Sequence, residues 1–170
     1  AAQLEQHLMS TLTIRQARPD DCPRILQFIR DLALYERALD EVQATVPQLE
    51  ALLFGDNPRV YGVICEEDGE ALGFALYFFN FSSWLGRLGL YLEDLYVNPA
   101  HRGKGAGKAL LRHLAQVAVA EGCGRFEWNV LDWNEPAIRF YESFGARPQS
   151  EWTGYRLTGE ALQAFAAGKG

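Results

Sequence analysis

The chain has 170 residues, which is most simply one α/β-sized domain with room for a substantial core. Its formal charge of −6 argues against a general nucleic-acid binder, because neutralising phosphates requires a basic face. No run approaches the roughly 20 apolar residues of a membrane helix, and no signal-peptide pattern is present, so a cytoplasmic protein without a membrane partner is expected.

The domain is expected to begin close to an internal methionine. The chain starts at alanine, and Met9-Ser10 looks like a natural beginning. Residues 1–8 are therefore expected to be a leader or a remnant of expression, and a single domain is expected over 9–170. No internal repeat and no low-complexity linker divides that stretch.

Apolar periodicity and turn residues predict alternating strands and helices. Thr45 and Gln48 match a helix capping box, and Asp68-Gly69 is a hairpin-turn signal. The order of the elements predicts an α/β (α+β) fold whose mixed central sheet of about six to seven strands is flanked by helices, antiparallel first and parallel later. The predictions are strand Thr11–Ala17, helices after Asp20 and Thr45, strands Val60–Cys65, Ala71–Phe79 and Leu88–Val97, helix Gly105–Glu121, strand Arg125–Leu131, helix Asn134–Phe144, strand Trp152–Leu157 and helix Thr158–Ala167.

The segment from Tyr91 to Lys108 carries the most chemical information. An apolar strand brings Glu93 and Asp94 to its end, and a basic, glycine-rich loop then opens a helix. The unpaired N–H groups and the positive dipole end of a helix start attract a phosphate or pyrophosphate. Glycines let the backbone approach such an anion, and cations add charge. The residues of this anion cradle are Arg102, Gly103, Lys104, Gly105, Ala106, Gly107 and Lys108.

Two common glycine motifs do not fit this loop. A Walker loop needs Gly-Lys followed by Ser or Thr, whereas Gly107-Lys108 is followed by Ala109. A dinucleotide fingerprint needs a third glycine at the position of Lys108, and this unit lies late in the chain. The spacing that remains is Arg102-x-x-Gly105-x-Gly107.

That spacing, between an apolar strand and an amphipathic helix, resembles the acetyl-CoA-binding motif of the GNAT superfamily of N-acyltransferases. A second landmark, Asn134 to Tyr141, follows at the order and distance that the superfamily shows. The resemblance runs from about Ile14 to Leu157 and is strongest for the diamine (spermidine/spermine) acetyltransferase branch and its thialysine-acetylating relatives. The segments that carry it are Leu34–Glu36, Gly73–Phe79, Tyr91–Asp94 and Trp133–Pro136.

The resemblance implies how acetyl-CoA is held. The loop amides would bind the pyrophosphate, and the backbone of Leu95, Tyr96 and Val97 would bond to the pantetheine arm. Asn134 would approach the cofactor, although by itself it is equally a good helix N-cap. Tyr141 would face the thioester sulfur, although by itself it is equally a core aromatic.

Acetyl transfer to an amine requires a neutral nitrogen, whereas an alkylammonium is almost wholly protonated at neutral pH. Glu93 is the predicted base, directly or through a water, and Tyr141 is the predicted acid for the departing thiolate. The family implies direct attack in a ternary complex. Three distant cysteines and three histidines without ligand spacing predict neither an acyl-enzyme thiol nor a metal site.

The predicted acceptor is a small cationic amine. Tyr35 and Glu36 match family positions that contact a polyamine, and Glu93, Asp94 and Glu151 complete the predicted substrate set. Thr153 stands where the polyamine enzymes carry a carboxylate, and Ser82-Ser83 replace an acidic residue and a proline. With fewer carboxylates for a long polycation, a diamine or a thialysine-like or lysine-like amine becomes a serious alternative to spermidine.

Two other functions stay open from the sequence. One is a protein acetyltransferase that acts on a lysine or an N-terminus, and the other is a non-catalytic acyl-CoA-binding regulatory module. The family likeness also implies a homodimer, with the predicted strand at Trp152–Leu157 helping the interface.

Overall fold

The computed structural model describes residues 12–169, so the leader expected at 1–8 lies outside the described residues. Contacts along the chain divide it into two compact units, the first running to Asn129 and the second beginning at Val130. The α/β class is confirmed, while the single-domain bounds 9–170 stay a prediction.

The first unit is built on one mixed sheet. Its strands lie in the order β1-β2-β3-β4-β5, antiparallel throughout except for the parallel pair β4 and β5. This arrangement confirms the antiparallel start and the later parallel pairing. The strands are β1 Leu12–Gln16, β2 Tyr61–Glu67, β3 Glu70–Ser82, β4 Arg87–Val97 and β5 Arg125–Glu127.

Three helices belong to the first unit and two to the second within residues 12–169. Short 3-10 turns precede or follow them at Pro19–Asp21, Leu39–Glu41 and Pro99–His101. The helices are α1 Cys22–Tyr35, α2 Val46–Phe54, α3 Ala106–Ala120, α4 Glu135–Glu142 and α5 Gly159–Ala166. No helix within the described range is both long and apolar enough to cross a bilayer.

Local signals form as the sequence predicts. The Thr45 hydroxyl accepts from the Gln48 N–H, and the Gln48 side-chain oxygen accepts from the Thr45 N–H, which completes the capping box of α2. Asp68 and Gly69 join β2 to β3 with φ angles of 51° and 80°, the left-handed pair that a tight hairpin needs.

The two faces of the sheet pack against different helices. On one face, Phe28 of α1 stacks on Phe74 of β3 with ring centroids 5.3 Å apart, and Tyr96 of β4 lies 6.0 Å from the same Phe28 ring. Val97, the next residue of β4, points the other way and approaches Gly107 at the start of α3. Helices α1 and α3 therefore cover opposite faces, and Ile25, Phe28, Leu110 and Leu114 are fully buried there.

Two strand predictions are wrong within the described residues. Strand β5 ends at Glu127 instead of Leu131, and residues 152–157 form no strand, so the sheet has five strands instead of six to seven. The physical reason is that an alternating segment becomes a strand only where another strand meets its hydrogen-bonding edge. Residues 152–157 lie outside regular secondary structure, and no segment of the described chain pairs with them.

Candidate active site

A β-bulge separates the two carboxylates at the end of β4. Leu76 of β3 faces Asp94, whereas the next residue, Tyr77, faces Leu92, so Glu93 is the extra residue without a partner on β3. Glu93 is exposed, while Asp94 is half-buried. The bulge therefore gives two neighbouring carboxylates different surroundings.

Asp94 lies on the face of the sheet that α1 covers. Its cross-strand partner Leu76 belongs to the buried cluster that contains Phe28 and Phe74. Tyr96, two residues further along β4, packs against the same cluster. Since cross-strand partners and alternate residues share a face, Asp94 stands at the border of an apolar core.

The carboxyl group of Asp94 has a strongly raised pKa. Burial raises it first, and the negative charges of Glu93 and Glu36 raise it further, to about 7. Glu36 is the residue that caps the C-terminal end of α1, and burial raises its pKa as well. A carboxyl group that titrates near neutral pH is suited to accept a proton from an ammonium group.

The end of α1 also meets the glycine-rich loop. The Arg102 guanidinium lies over the Tyr35 ring, 5.9 Å from its centroid. Arg102 also acts on Tyr96, where its charge opposes the upward pKa shift that burial and Asp31 cause. The predicted substrate residues Tyr35 and Glu36 are therefore next to the first residue of the predicted cofactor loop.

The loop before α3 depends on glycine at two positions. Gly103 and Gly105 have φ angles of 86° and 79°, and Gly105 is the N-cap residue of α3. A Cβ on Gly107 would contact only the Val97 side chain, at 3.9 Å. Gly107 is therefore not required by the backbone conformation, and its missing side chain leaves the helix start open to a ligand. Ala106 is buried beneath the loop, and Lys108 is exposed on the first turn of α3.

Acidic residues of the β2–β3 hairpin pair with the loop. The Lys104 Nζ lies 3.3 Å from the Glu67 Oε1, and the His101 Nε2 lies 3.5 Å from the Glu70 Oε1. The His101 side chain is mostly covered, although it lies in a loop. These partners are far apart in sequence, so no local pattern predicts them.

The backbone of β4 has an unusual environment near its end. Strand β5 pairs with Gly89, Leu90 and Tyr91 only, whereas β3 pairs with β4 up to Val97. Within residues 12–129, the predicted pantetheine residues Leu95, Tyr96 and Val97 therefore have a strand neighbour on one side only. Backbone groups on the other side have the extended geometry that could bond to an amide-containing arm. Within residues 12–129, the basic loop, the open helix start and the one-sided strand end suit an anionic ligand that carries amide groups.

The second unit carries the remaining predicted site residues. Asn134 is the N-cap residue of α4 by its position, and its side chain makes no capping hydrogen bond. Tyr141 is half-buried on α4 beside Phe140 and Phe144, with centroid distances of 5.8 and 6.3 Å. Glu151 is exposed in a turn after α4.

The three cysteine thiols of the described residues all have raised pKa values. Burial raises the pKa of Cys22, Cys65 and Cys123, with Cys65 at about 11, which keeps these thiols protonated. Among residues 12–169, no cluster of three His, Cys, Asp or Glu side chains could hold a metal ion.

Known proteins resemble this chain along most of its length. The sequence model of the acetyltransferase (GNAT) family matches residues 26–146. A thialysine N-epsilon-acetyltransferase of Sus scrofa is 40% identical over 169 residues, covering 93% of this chain and 99% of that protein. An L-ornithine N5-acetyltransferase of Arabidopsis thaliana is 35% identical and covers 89% of this chain and 86% of that protein.

Two further matches extend this similarity. The spermidine/spermine N(1)-acetyltransferase-like protein 1 of Homo sapiens is 38% identical over 161 residues, covering 91% of this chain but 23% of that longer protein. Among solved structures, an integron cassette protein of V. cholerae superposes with a TM-score of 0.76 at 29% identity, covering 92% of this chain and 98% of that protein.

Proposed function

The chain belongs to the GNAT acetyltransferase family and is an N-acetyltransferase, and from this premise we propose that it transfers the acetyl group of acetyl-CoA to a primary amine of a small cationic molecule. The proposal rests on one observation: negative side chains at the end of β4 are followed by positive side chains in the loop after it. Carboxylates stand at the β4 bulge, and the cations Arg102, Lys104 and Lys108 follow in the loop before α3 and in its first turn. A cationic acceptor and an anionic cofactor suit these two regions.

The cofactor would be held by the loop and the end of β4. Arg102, Lys104 and Lys108 would attract its phosphates, and the α3 amides behind Gly105, Ala106 and Gly107 would bind the pyrophosphate together with Gly103. The backbone of Leu95, Tyr96 and Val97 would bond to the pantetheine arm, and Asn134 would approach it. When bound, acetyl-CoA supplies an activated acetyl group.

The acceptor would enter at the carboxylates and be acetylated directly in a ternary complex. Glu93, exposed at the bulge, would take up the ammonium proton directly or through a water. The substrate set adds Tyr35, Glu36, Asp94 and Glu151, which supply negative charge and an aromatic face to a cation. Tyr141 would donate a proton to the departing thiolate.

A short amine is the favoured acceptor class. Two of the relatives named above are named for thialysine and ornithine, which carry a terminal amine on a short chain. The missing carboxylates at Ser82-Ser83 and Thr153 reduce the charge available to a long polycation. We therefore expect thialysine, ornithine, lysine and short diamines to be better acceptors than spermine.

A panel of amines tests the proposal. Purified protein is given acetyl-CoA and each amine, and thiol release is followed together with the mass of the product. We expect amine-dependent thiol release and a product heavier by one acetyl group. Tight CoA binding without transfer to any amine would favour the regulatory-module alternative, and acetylation of peptides in preference to free amines would favour a protein acetyltransferase.

The role of Tyr141 has a separate test. Tyr141→Phe keeps the ring that packs beside Phe140 and Phe144 but removes the proton donor. We expect kcat to fall by about 10²-fold while the Kd for acetyl-CoA stays nearly constant. Equal kcat values would remove Tyr141 from the mechanism.

A homodimer is part of the proposal. The segment 152–157 exposes Trp152, Tyr155 and Leu157 at 67%, 96% and 49%, and large exposed apolar side chains are typical of contact surfaces. Light scattering of the wild type and of Tyr155→Glu tests it, since a charge at a dimer contact should increase the monomer fraction. The cytoplasmic location stays a prediction from the sequence.

A further inference from the structure

We infer that the proton removed from the acceptor ammonium comes to rest on Asp94, with exposed Glu93 receiving the amine and half-buried Asp94 holding the proton at the edge of the α1 core. This inference rests on the proposed function. It changes the role of Asp94 from a substrate contact to a catalytic residue, and it makes Glu36 a positioning residue that acts through Asp94.

The bulge is what separates the two roles. Without the extra residue, Asp94 would continue the face of Leu90 and Leu92, which pack on the α3 side of the sheet. With Glu93 inserted, Asp94 instead pairs with Leu76 and shares the α1 face with Tyr96. One carboxylate is therefore left in solvent, and its neighbour is placed where ionisation is costly.

The charges around Asp94 all oppose its ionisation. Glu93 acts on it from its own strand and Glu36 acts on it from the end of α1, while its β3 partner Leu76 is apolar. Asp31 and Arg102 act instead on Tyr96, which lies farther along the same face, and α3 covers the opposite face. Among the described residues, no cation contributes to the raised pKa of Asp94, and none forms a hydrogen bond or ion pair with its side chain.

The reaction balances with Glu93 as the first proton acceptor and Asp94 as the second. One N–H bond of the ammonium breaks as an O–H bond forms on Glu93, and that proton then passes to Asp94. The freed nitrogen lone pair attacks the thioester carbonyl. The N–C bond forms and the C–S bond breaks, with Tyr141 protonating the sulfur. The nitrogen loses its second proton, which restores Tyr141, and Asp94 releases its proton to solvent. The sum is one amide, one thiol and one released proton.

The first test follows kcat/KM for the best amine from about pH 5.5 to about pH 9 at saturating acetyl-CoA. The wild type should lose activity below a midpoint near the pKa of Asp94, which is about 7. Glu36→Gln removes one of the two charges that raise that pKa, so its midpoint should move down by roughly half a pH unit. Glu41→Gln is the matched control, because exposed Glu41 does not act on Asp94, and its midpoint should coincide with the wild type.

The second test does not depend on turnover. A protonated carboxyl group absorbs in the infrared apart from an ionised one, so a titration of the purified protein reports Asp94 directly. We expect a carboxylic-acid band that disappears with a midpoint near pH 7 in the wild type, at lower pH in Glu36→Gln, and that is absent in Asp94→Asn.

These outcomes separate the inference from the proposed function. If no amine is acetylated but the infrared midpoints are as expected, the proposed acetyl transfer is rejected, while the conclusion that Asp94 binds a proton near neutral pH is kept. If amines are acetylated and Glu36→Gln shows the same activity and infrared midpoints as the wild type and Glu41→Gln, the assignment of Asp94 is overturned.

Discussion

The two charged regions beside β4 differ in how their charges are compensated. At the bulge, Glu93 and Glu36 act on Asp94 with charges of the same sign, and the pKa of Asp94 rises to about 7. In the loop, the Lys104 ammonium lies 3.3 Å from the Glu67 carboxylate, and the Arg102 guanidinium lies over the Tyr35 ring. One region accumulates like charge, whereas the other has a partner for each of these two cations.

This difference indicates different contributions to catalysis. A cluster of like charges at the edge of an apolar core raises proton affinity, which favours proton uptake at neutral pH. Cations that already have partners gain less when an anion binds, because the first contact must be given up or shared. We therefore expect changes at the bulge to alter the chemical step and changes in the loop to alter the affinity for the cofactor.

The largest expected effect tests the bulge. Glu93→Gln keeps the shape of the side chain but removes the exposed carboxylate that receives the amine. We expect kcat/KM for the amine to fall by about 10²-fold or more, with a nearly unchanged Kd for acetyl-CoA by titration calorimetry. Glu127→Gln is the control, because Glu127 also acts on Tyr91 beside Glu93. A similar loss in both variants would contradict a specific role for Glu93.

The second prediction concerns stability at the same site. The pKa of Asp94 is about 7 in the folded protein, above its ordinary value of 3.8, so folding favours the protonated form. Stability is lost as the pH rises from the ordinary value through about 7, and an uncharged Asn avoids that loss. We expect Asp94→Asn to raise the free energy of unfolding at about pH 8 by on the order of 1–3 kcal/mol, with no gain at about pH 4.

Urea unfolding of both proteins at the two pH values measures this gain. A stability difference that is the same at both pH values would mean that packing, and not ionisation, causes it.

The third prediction moves to the loop. Arg102→Met removes a charge that would bind a phosphate oxygen and keeps an apolar side chain over Tyr35. We expect the Kd for acetyl-CoA to rise about 10-fold, since one charge-assisted hydrogen bond contributes about 1.5–3 kcal/mol. Arg112→Met, an exposed cation further along α3, controls for net charge and should leave the Kd close to that of the wild type.

The smallest expected effect tests whether the ion pair between Lys104 and Glu67 lowers the affinity of the loop for acetyl-CoA. Glu67→Gln releases Lys104 from its carboxylate, so acetyl-CoA should bind about two- to fourfold more tightly, the range of an exposed ion pair. Glu66→Gln is the matched control, because Glu66 accepts from Arg15 instead. Weaker binding in Glu67→Gln would mean that Glu67 positions Lys104 for the cofactor.

Much of the fold follows from short-range signals in the sequence. The capping box at Thr45, the hairpin at Asp68-Gly69 and the helix that starts after Gly105 all form as predicted. The strand at Trp152–Leu157 does not, because pairing depends on a distant neighbour that a local alternating pattern does not reveal.

In the candidate site too, some features could be predicted from local sequence and others depend on the fold. The cation-bearing loop and the carboxylates of β4 could be recognised from their order along the chain, because each is a contiguous motif. The sequence ranked Asp94 below Glu93, since nothing local indicates a bulge or the face that it selects. The register of β3 against β4 decides that.

By itself, then, the sequence determined the family and most of the elements, and it predicted the cofactor motif and the residue types for acid and base. Tertiary structure decided which carboxylate is half-buried, that Glu36 raises its pKa, and that Lys104 pairs with Glu67 from 37 residues away. Backbone conformation and apolar periodicity depend on neighbours in the chain, whereas proton affinity and ion pairing depend on burial and on charges that only the fold brings together.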